Sequence, residues 1–215
     1  MPLKQEKQQQ NQNDNKETRQ KLLDCAREEF LEKGYMKASL RNICKEAGVT
    51  TGALYFFFRD KEDLFAALVE EPLQQLYEAM AAHYAMEREN EAMVAELNLE
   101  EDGDLESSRQ IISHMYANRE AFLLILTKSQ GSRFEQCMDE VVDLSEKQYR
   151  TLCDTVTNAS GRPRVDDYLT HFMAHIMVDT FAHLFLHEED KNVALKHIDA
   201  LTRYLIRGWM SIVSE

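Results

Sequence analysis

Tight turns consume glycine and proline, and this 215-residue chain contains only 7 Gly and 3 Pro. Sandwiches and barrels need turn signals every 8–12 residues or so, so that supply disfavours them. Ala, Leu, Glu, Lys, Gln and Met are abundant instead, and all favour helix. With 44% apolar residues the chain can bury a substantial core without metal or disulfide staples. The expected class is all-α, with about nine helices.

Charge divides the chain. Residues 16–61 carry ten Lys/Arg against seven Asp/Glu, a net +3. The first fifteen residues balance, so a total of −13 leaves −16 for residues 62–215. A small module able to approach a polyanion is thus joined to an acidic body that a polyanion would repel. Cys25, Cys44, Cys137 and Cys153 are scattered without a CxxC pair, which fits neither a zinc site nor a secreted scaffold. The opening MPLKQEKQQQNQNDN has no apolar stretch for a signal peptide, and no run of about 18 apolar residues exists to cross a membrane. A cytoplasmic setting is expected.

Residues 1–15 read as a disordered Gln/Asn-rich tail. From Thr18, Leu22, Leu23, Ala26, Phe30 and Leu31 recur at helical spacing until Gly34. Ser39 can cap a second helix with Leu40, Ile43, Cys44 and Ala47 inward. Ala47-Gly48-Val49 makes a tight corner, Thr50 caps a third helix, and Asp60 caps a fourth. Two short helices across a glycine turn, buttressed by a longer one, describe a helix-turn-helix. In the third helix Leu54 and Phe58 share one stripe, while Thr51 with Tyr55 and Gly52 with Phe56 lie on stripes facing away.

Ala26, Phe30, Gly34, Ser39, Ile43, Ala47-Gly48-Val49, Gly52, Leu54-Tyr55, Phe58, Lys61-Glu62 and Leu64 make the stretch Thr18–Leu68, roughly a quarter of the chain, similar to the DNA-binding domain of the TetR family of transcriptional regulators. The resemblance implies a helix-turn-helix domain over residues 16–62 and a larger helical effector-binding and dimerisation domain over 63–215. It implies a homodimer on double-stranded DNA, released from a palindromic operator by a small molecule. No cofactor follows from it.

Helix-turn-helix proteins put the start of the second helix of the motif in the major groove. Thr50 and Thr51 can bond phosphates or bases, and Gly52 permits close approach. Lys61, in the first turn of the fourth helix, can hold a phosphate with that helix's N-terminus. Lys37 and Arg41 are supporting cations. Family resemblance adds phosphate contacts for Tyr55 and Ser39. Each has a plainer reading: Thr50 and Ser39 as caps, Tyr55 as a packed ring, Arg41 and Lys37 as solvated charges. Phe56 and Phe57 depart from the family, which commonly has Tyr or His there; Phe56 either touches thymine methyls or is covered by Phe57.

Beyond residue 61 we expect one long helix to about residue 85, kinked by Pro72. An acidic connector over 87–108 comes next, then helices near 108–117, 119–129, 132–158, 165–187 and 192–212. The family pairs its last two helices with a partner's copies, which implies an interface drawn from Phe172, Ile176, Phe181, Leu184, Leu201, Leu205, Trp209 and Ile212, or a purely internal core. Met80, Met115, Tyr116, Met138, Phe172, Met173 and His175 are candidates to line an apolar effector cavity, although methionine at helical spacing is commonly core filling. His171, His175, Asp179, His183 and His187 recur every four residues. A four-residue step overshoots the helical turn by about 40°, so the five cannot share one ion, and no metal site is expected. No catalytic acid/base or nucleophile set is visible, so an enzyme is not expected. The competing readings are a helical protein-interaction module and a nucleoid-type DNA binder without an effector.

Overall fold

The computed structural model describes residues 2–89 and 101–214, which form nine helices and no strand. They are α1 (Pro2–Lys37), α2 (Leu40–Glu46), α3 (Thr51–Phe57), α4 (Lys61–Glu89), α5 (Glu101–Ala117), α6 (Arg119–Lys128), α7 (Cys137–Ser160), α8 (Asp167–His187) and α9 (Lys191–Ser214). Two compact units divide the chain: Met1–Glu71 with Glu120–Glu135, and Pro72–Arg119 with Gln136–Glu215.

In the first unit α1 buries Leu22, Leu23, Ala26 and Phe30, the stripe that its spacing predicts. Helical geometry breaks at Gly34 (φ 74°). Phe65 of α4 packs edge-on to Phe30 with ring centroids 5.0 Å apart and lies 5.9 Å from Phe134. Phe122, Leu124 and Ile125 of α6 are buried in turn. The helix α1 also continues upstream through the Gln/Asn-rich residues where a disordered tail is expected from composition. Residues 12–17 are all exposed there, so that extension rests on the helix preference of Gln, Lys and Glu rather than on burial.

The second unit packs α9 along α5 and α7 along α8. Arg109 of α5 grips Asp199 of α9 with two hydrogen bonds of 2.7 and 2.8 Å, and buried Thr202 donates to Ser108 at 3.0 Å. Trp209 and Val213 join Cys153, Val156, Val165 and Met173 in one core cluster.

Three expectations change. α4 runs as a single helix from Lys61 to Glu89, past the expected end near residue 85, with Pro72 inside it. α5 begins at Glu101, not near 108. The acidic residues Glu101, Asp102 and Asp104 occupy its first turn, where the helix dipole favours them, and Leu105, Ser108, Ile112 and Met115 give it a buried stripe. The rest of the acidic connector, residues 90–100, lies outside the described residues. Finally α7 starts at Cys137, because residues 129–136 form hydrogen-bonded turns, with Ser132 donating its amide to the Ser129 carbonyl at 2.9 Å.

Candidate nucleic-acid interface

The helix-turn-helix is pinned from below by one carboxylate. Glu29 of α1, only 4% exposed, accepts the Ser39 amide at 3.0 Å, the Asn42 side-chain amide at 2.6 Å and the Lys33 ammonium at 2.7 Å. Burial alone would push its carboxyl up, but these donors outweigh it and hold the group below the usual carboxylate range. Ser39 in turn caps α2, its hydroxyl accepting the Asn42 amide at 3.4 Å. Sequence alone gives no sign of Glu29, since nothing in a string of residues shows that its carboxylate lies beneath a helix start ten positions on.

At the corner, Gly48 takes φ 67°, the left-handed region that glycine enters without a Cβ penalty. The Val49 amide returns to the Cys44 carbonyl at 2.9 Å and closes α2. Thr50 then caps α3, its hydroxyl accepting the Ala53 amide at 3.2 Å. Leu54 and Phe58 are 0% and 2% exposed, and the Arg19 guanidinium lies over the Phe58 ring at 5.2 Å. Opposite them Thr51 and Gly52 are exposed, Tyr55 is 57% exposed and Phe56 72%. Phe57 touches Phe56 edge-on at 4.9 Å but leaves most of that ring open. Each surface side chain here is held out because its helix neighbours are held in.

Arg41 and Lys37 are exposed beside this face in sequence. Lys61 has partners inside the fold. Its ammonium donates to the Met36 and Ala38 carbonyls at 3.2 and 3.1 Å and sits 4.6 Å from the Tyr35 ring centroid. Partial burial lowers its proton affinity. Two of its three protons are therefore committed to the end of α1. Tyr35 is fixed alongside, donating to Glu62 at 2.8 Å; burial and that carboxylate push its hydroxyl up to about 12.

In the second unit the effector candidates separate. Met80, Met115 and Met173 are buried core residues, and Met138 is half-buried. Tyr116 donates to the Glu188 carbonyl at 2.6 Å and meets the Phe185 ring edge-on. Phe172 stands exposed, stacked on Tyr168, and so does not share a buried wall with those methionines. His175 is half-buried against His171, whose ring nitrogen lies 2.7 Å from Glu146.

The interface candidates separate as well. Trp209, at 6% exposed, and Phe181 and Leu184 are buried within the chain, because the inward stripes of α8 and α9 meet one another and α7. Ile176 and Leu205 are half-buried. The large apolar side chains that these helices expose are Tyr168, Leu169, Phe172 and Tyr204. Phe172 is thus the exposed member of the expected interface set, and Tyr168, four residues before it and off the buried stripe, is the addition that this spacing could have signalled.

Residues 22–68 match the family described as "Bacterial regulatory proteins, tetR family". The HTH-type transcriptional regulator AcrR of Shigella flexneri is 50% identical over 54 residues, 25% of either chain. The fatty acid metabolism regulator protein of Bacillus subtilis is 37% identical over 59 residues, 27% of this chain and 30% of that one. The match thus spans only a quarter to a third of these relatives' length. A transcriptional regulator from Aquifex aeolicus VF5 shares the fold across 87% of this chain and 99% of its own, with TM-score 0.57 and 18% identity. The matched segment is the one that builds the capped, outward-facing α3, and residues 22–68 carry the helix-turn-helix of the family of bacterial regulatory proteins named tetR.

Proposed function

We propose that this protein is a DNA-binding transcriptional repressor that acts as a homodimer and leaves its operator when a small, mostly apolar effector binds. The observation that carries the reading is the two-sided build of α3, with Leu54 and Phe58 buried and Thr51, Gly52, Tyr55 and Phe56 presented outward. A recognition helix needs that division, since it must be bolted to its domain while offering side chains to a groove.

On duplex DNA, Thr51 and the backbone at Gly52 approach base edges, and the Phe56 ring meets a thymine methyl. The Tyr55 hydroxyl, the Thr50 and Ser39 hydroxyls and the Arg41 guanidinium take phosphates, fixing register without reading sequence. Lys61 contributes through its one uncommitted proton and through holding α1 to α4. One module makes too few phosphate contacts for specific affinity. Two copies about 34–36 Å apart read a palindrome. The exposed side chains of Tyr168, Leu169, Phe172 and Tyr204 supply the pairing surface for the second copy. For release, the effector must favour the non-binding state by roughly 10⁴-fold, about 5.5 kcal/mol, to invert the population.

The test is selection of bound fragments from the host genome, followed by fluorescence anisotropy on the selected duplex. A specific duplex bound by two chains, with affinity falling steeply as salt rises, supports the reading. Binding insensitive to salt or sequence would overturn it in favour of a protein-docking face. Screening small apolar compounds on that complex then tests the effector separately.

A further inference from the structure

The second unit holds a cluster that sequence spacing conceals. His83 and Glu87 stand one turn apart on α4, and Asp104 comes from the first turns of α5. His83 Nε2 lies 3.2 Å from Asp104 Oδ1 and 3.8 Å from Glu87 Oε1, with the three ligand atoms all within 4.8 Å of one another. We propose that His83 Nε2, Glu87 Oε1 and Asp104 Oδ1 form a binding site for a divalent transition-metal cation of the Zn²⁺ type, clasped between α4 and α5.

Three features support it. The first is spacing. Charge-assisted N–H···O bonds run about 2.7–2.9 Å, and the His171–Glu146 pair of this same chain reaches 2.7 Å. Donors sharing a tetrahedral ion with bonds of about 2.0–2.2 Å sit roughly 3.3–3.6 Å from one another. The two His83 separations bracket that range.

The second is the surrounding shell. Ser107 Oγ lies 2.9 Å from His83 Nδ1, which fixes the ring and leaves Nε2 to face the carboxylates. Gln148 donates to Glu87 Oε2 at 2.8 Å, which leaves Oε1 to face the imidazole. Metal-binding imidazoles and carboxylates are held by their outer atoms in this way. The orienting partners come from α5 and α7, so three helices converge on the cluster.

The third is charge. Two carboxylates, Glu87 and Asp104, face a single imidazole inside a half-buried site, and a dication between them would offset both of their charges. One nitrogen and two oxygen ligands suit Zn²⁺, Co²⁺ or Mn²⁺ better than Ca²⁺, which takes six to eight oxygens. All five residues lie in the second unit, so the site stands or falls apart from the DNA-binding reading.

The experiment uses the full-length protein, stripped with chelator and titrated with Zn²⁺ by calorimetry and with Co²⁺ by visible absorption. We expect one ion per chain, with Co²⁺ bands of a low-coordinate nitrogen–oxygen site in the wild type. Asp104→Asn and His83→Gln should each weaken binding by more than about 100-fold, and Ser107→Ala by about 10–100-fold, as loss of an orienting partner does. Far-UV circular dichroism confirms that the variants remain helical. Replacing His171, His175, His183 and His187 together with Gln should leave the site intact. Absence of stoichiometric binding to wild type, or binding lost only in that fourfold variant, overturns the proposal, and the wild-type Co²⁺ spectrum decides even if every cluster variant unfolds.

Discussion

The Lys61 ammonium donates to the Ala38 carbonyl across 3.1 Å, tying the first turn of α4 to the exit of α1. A residue that helix-dipole physics assigns to phosphate is therefore also a structural clamp. Lys61→Met keeps the stem and removes the donors. It should cost about 1 kcal/mol in urea unfolding, the usual worth of such a bond at a half-exposed position. An unchanged urea midpoint alongside weakened DNA binding would assign Lys61 to phosphate alone.

Glu29 gathers three donors beneath the start of α2. Glu29→Ala leaves the Ser39 amide and the Asn42 side chain without that acceptor, and should cost about 2 kcal/mol. Its carboxyl is held below the usual range. The stability it confers is thus present above the ordinary carboxylate pKa and is lost as pH falls through the folded-state value. Urea midpoints measured from neutral to acid pH should show a shallower acid decline for Glu29→Gln than for wild type.

Gly48 and Gly52 lie four residues apart and serve different ends, one conformational and one steric. Gly48 has positive φ and nothing within 4 Å of where a Cβ would stand, so Gly48→Ala costs only backbone strain, about 1–2 kcal/mol. Gly52 sits in the first turn of α3 with ordinary φ, and a Cβ there would meet only the Thr50 hydroxyl at 3.7 Å. Gly52→Ala should leave stability the same or slightly higher, while weakening DNA binding by blocking close approach. Thermal unfolding and anisotropy on the same samples separate the two effects.

Trp209 and Tyr204 occupy one helix with opposite environments, 6% and 71% exposed. Trp209→Ala should cost about 3–5 kcal/mol by emptying core volume. Tyr204→Glu should leave the unfolding midpoint of the isolated chain within about 0.5 kcal/mol, as surface changes do, yet dissociate the proposed dimer. Sedimentation velocity reads the second outcome, and a Tyr204→Glu protein that sediments as wild type removes α9 from the interface.

For the DNA face, Arg41→Ala should weaken binding across sequences and reduce the salt slope by about 1. Tyr55→Phe removes a neutral phosphate contact, so it should weaken binding without moving that slope.

Much of the fold is legible in the sequence because burial imposes periodicity on a chain that must also be helical. The α1 stripe, the caps Ser39 and Thr50, the Gly48 corner and the Leu54/Phe58 bolt are local, each readable within about four residues of itself. The start of α5 is harder to read, because Glu101, Asp102 and Asp104 look like a connector until the helix dipole is counted. The partition of α8 and α9 is not legible at all, since an apolar residue such as Phe181 or Trp209 does not declare whether its own chain or a second copy will cover it.

The helical class, the helix-turn-helix and the outward face of α3 can thus be read from the string of residues, since all three follow from backbone preference and 3.6-residue spacing. What meets across long intervals emerges once the helices are docked: Glu29 under Ser39, Lys61 on Ala38, Trp209 in the core, and His83 and Glu87 beside Asp104. Those pairings depend on how helices dock, and docking is set by the summed packing of whole faces rather than by any motif.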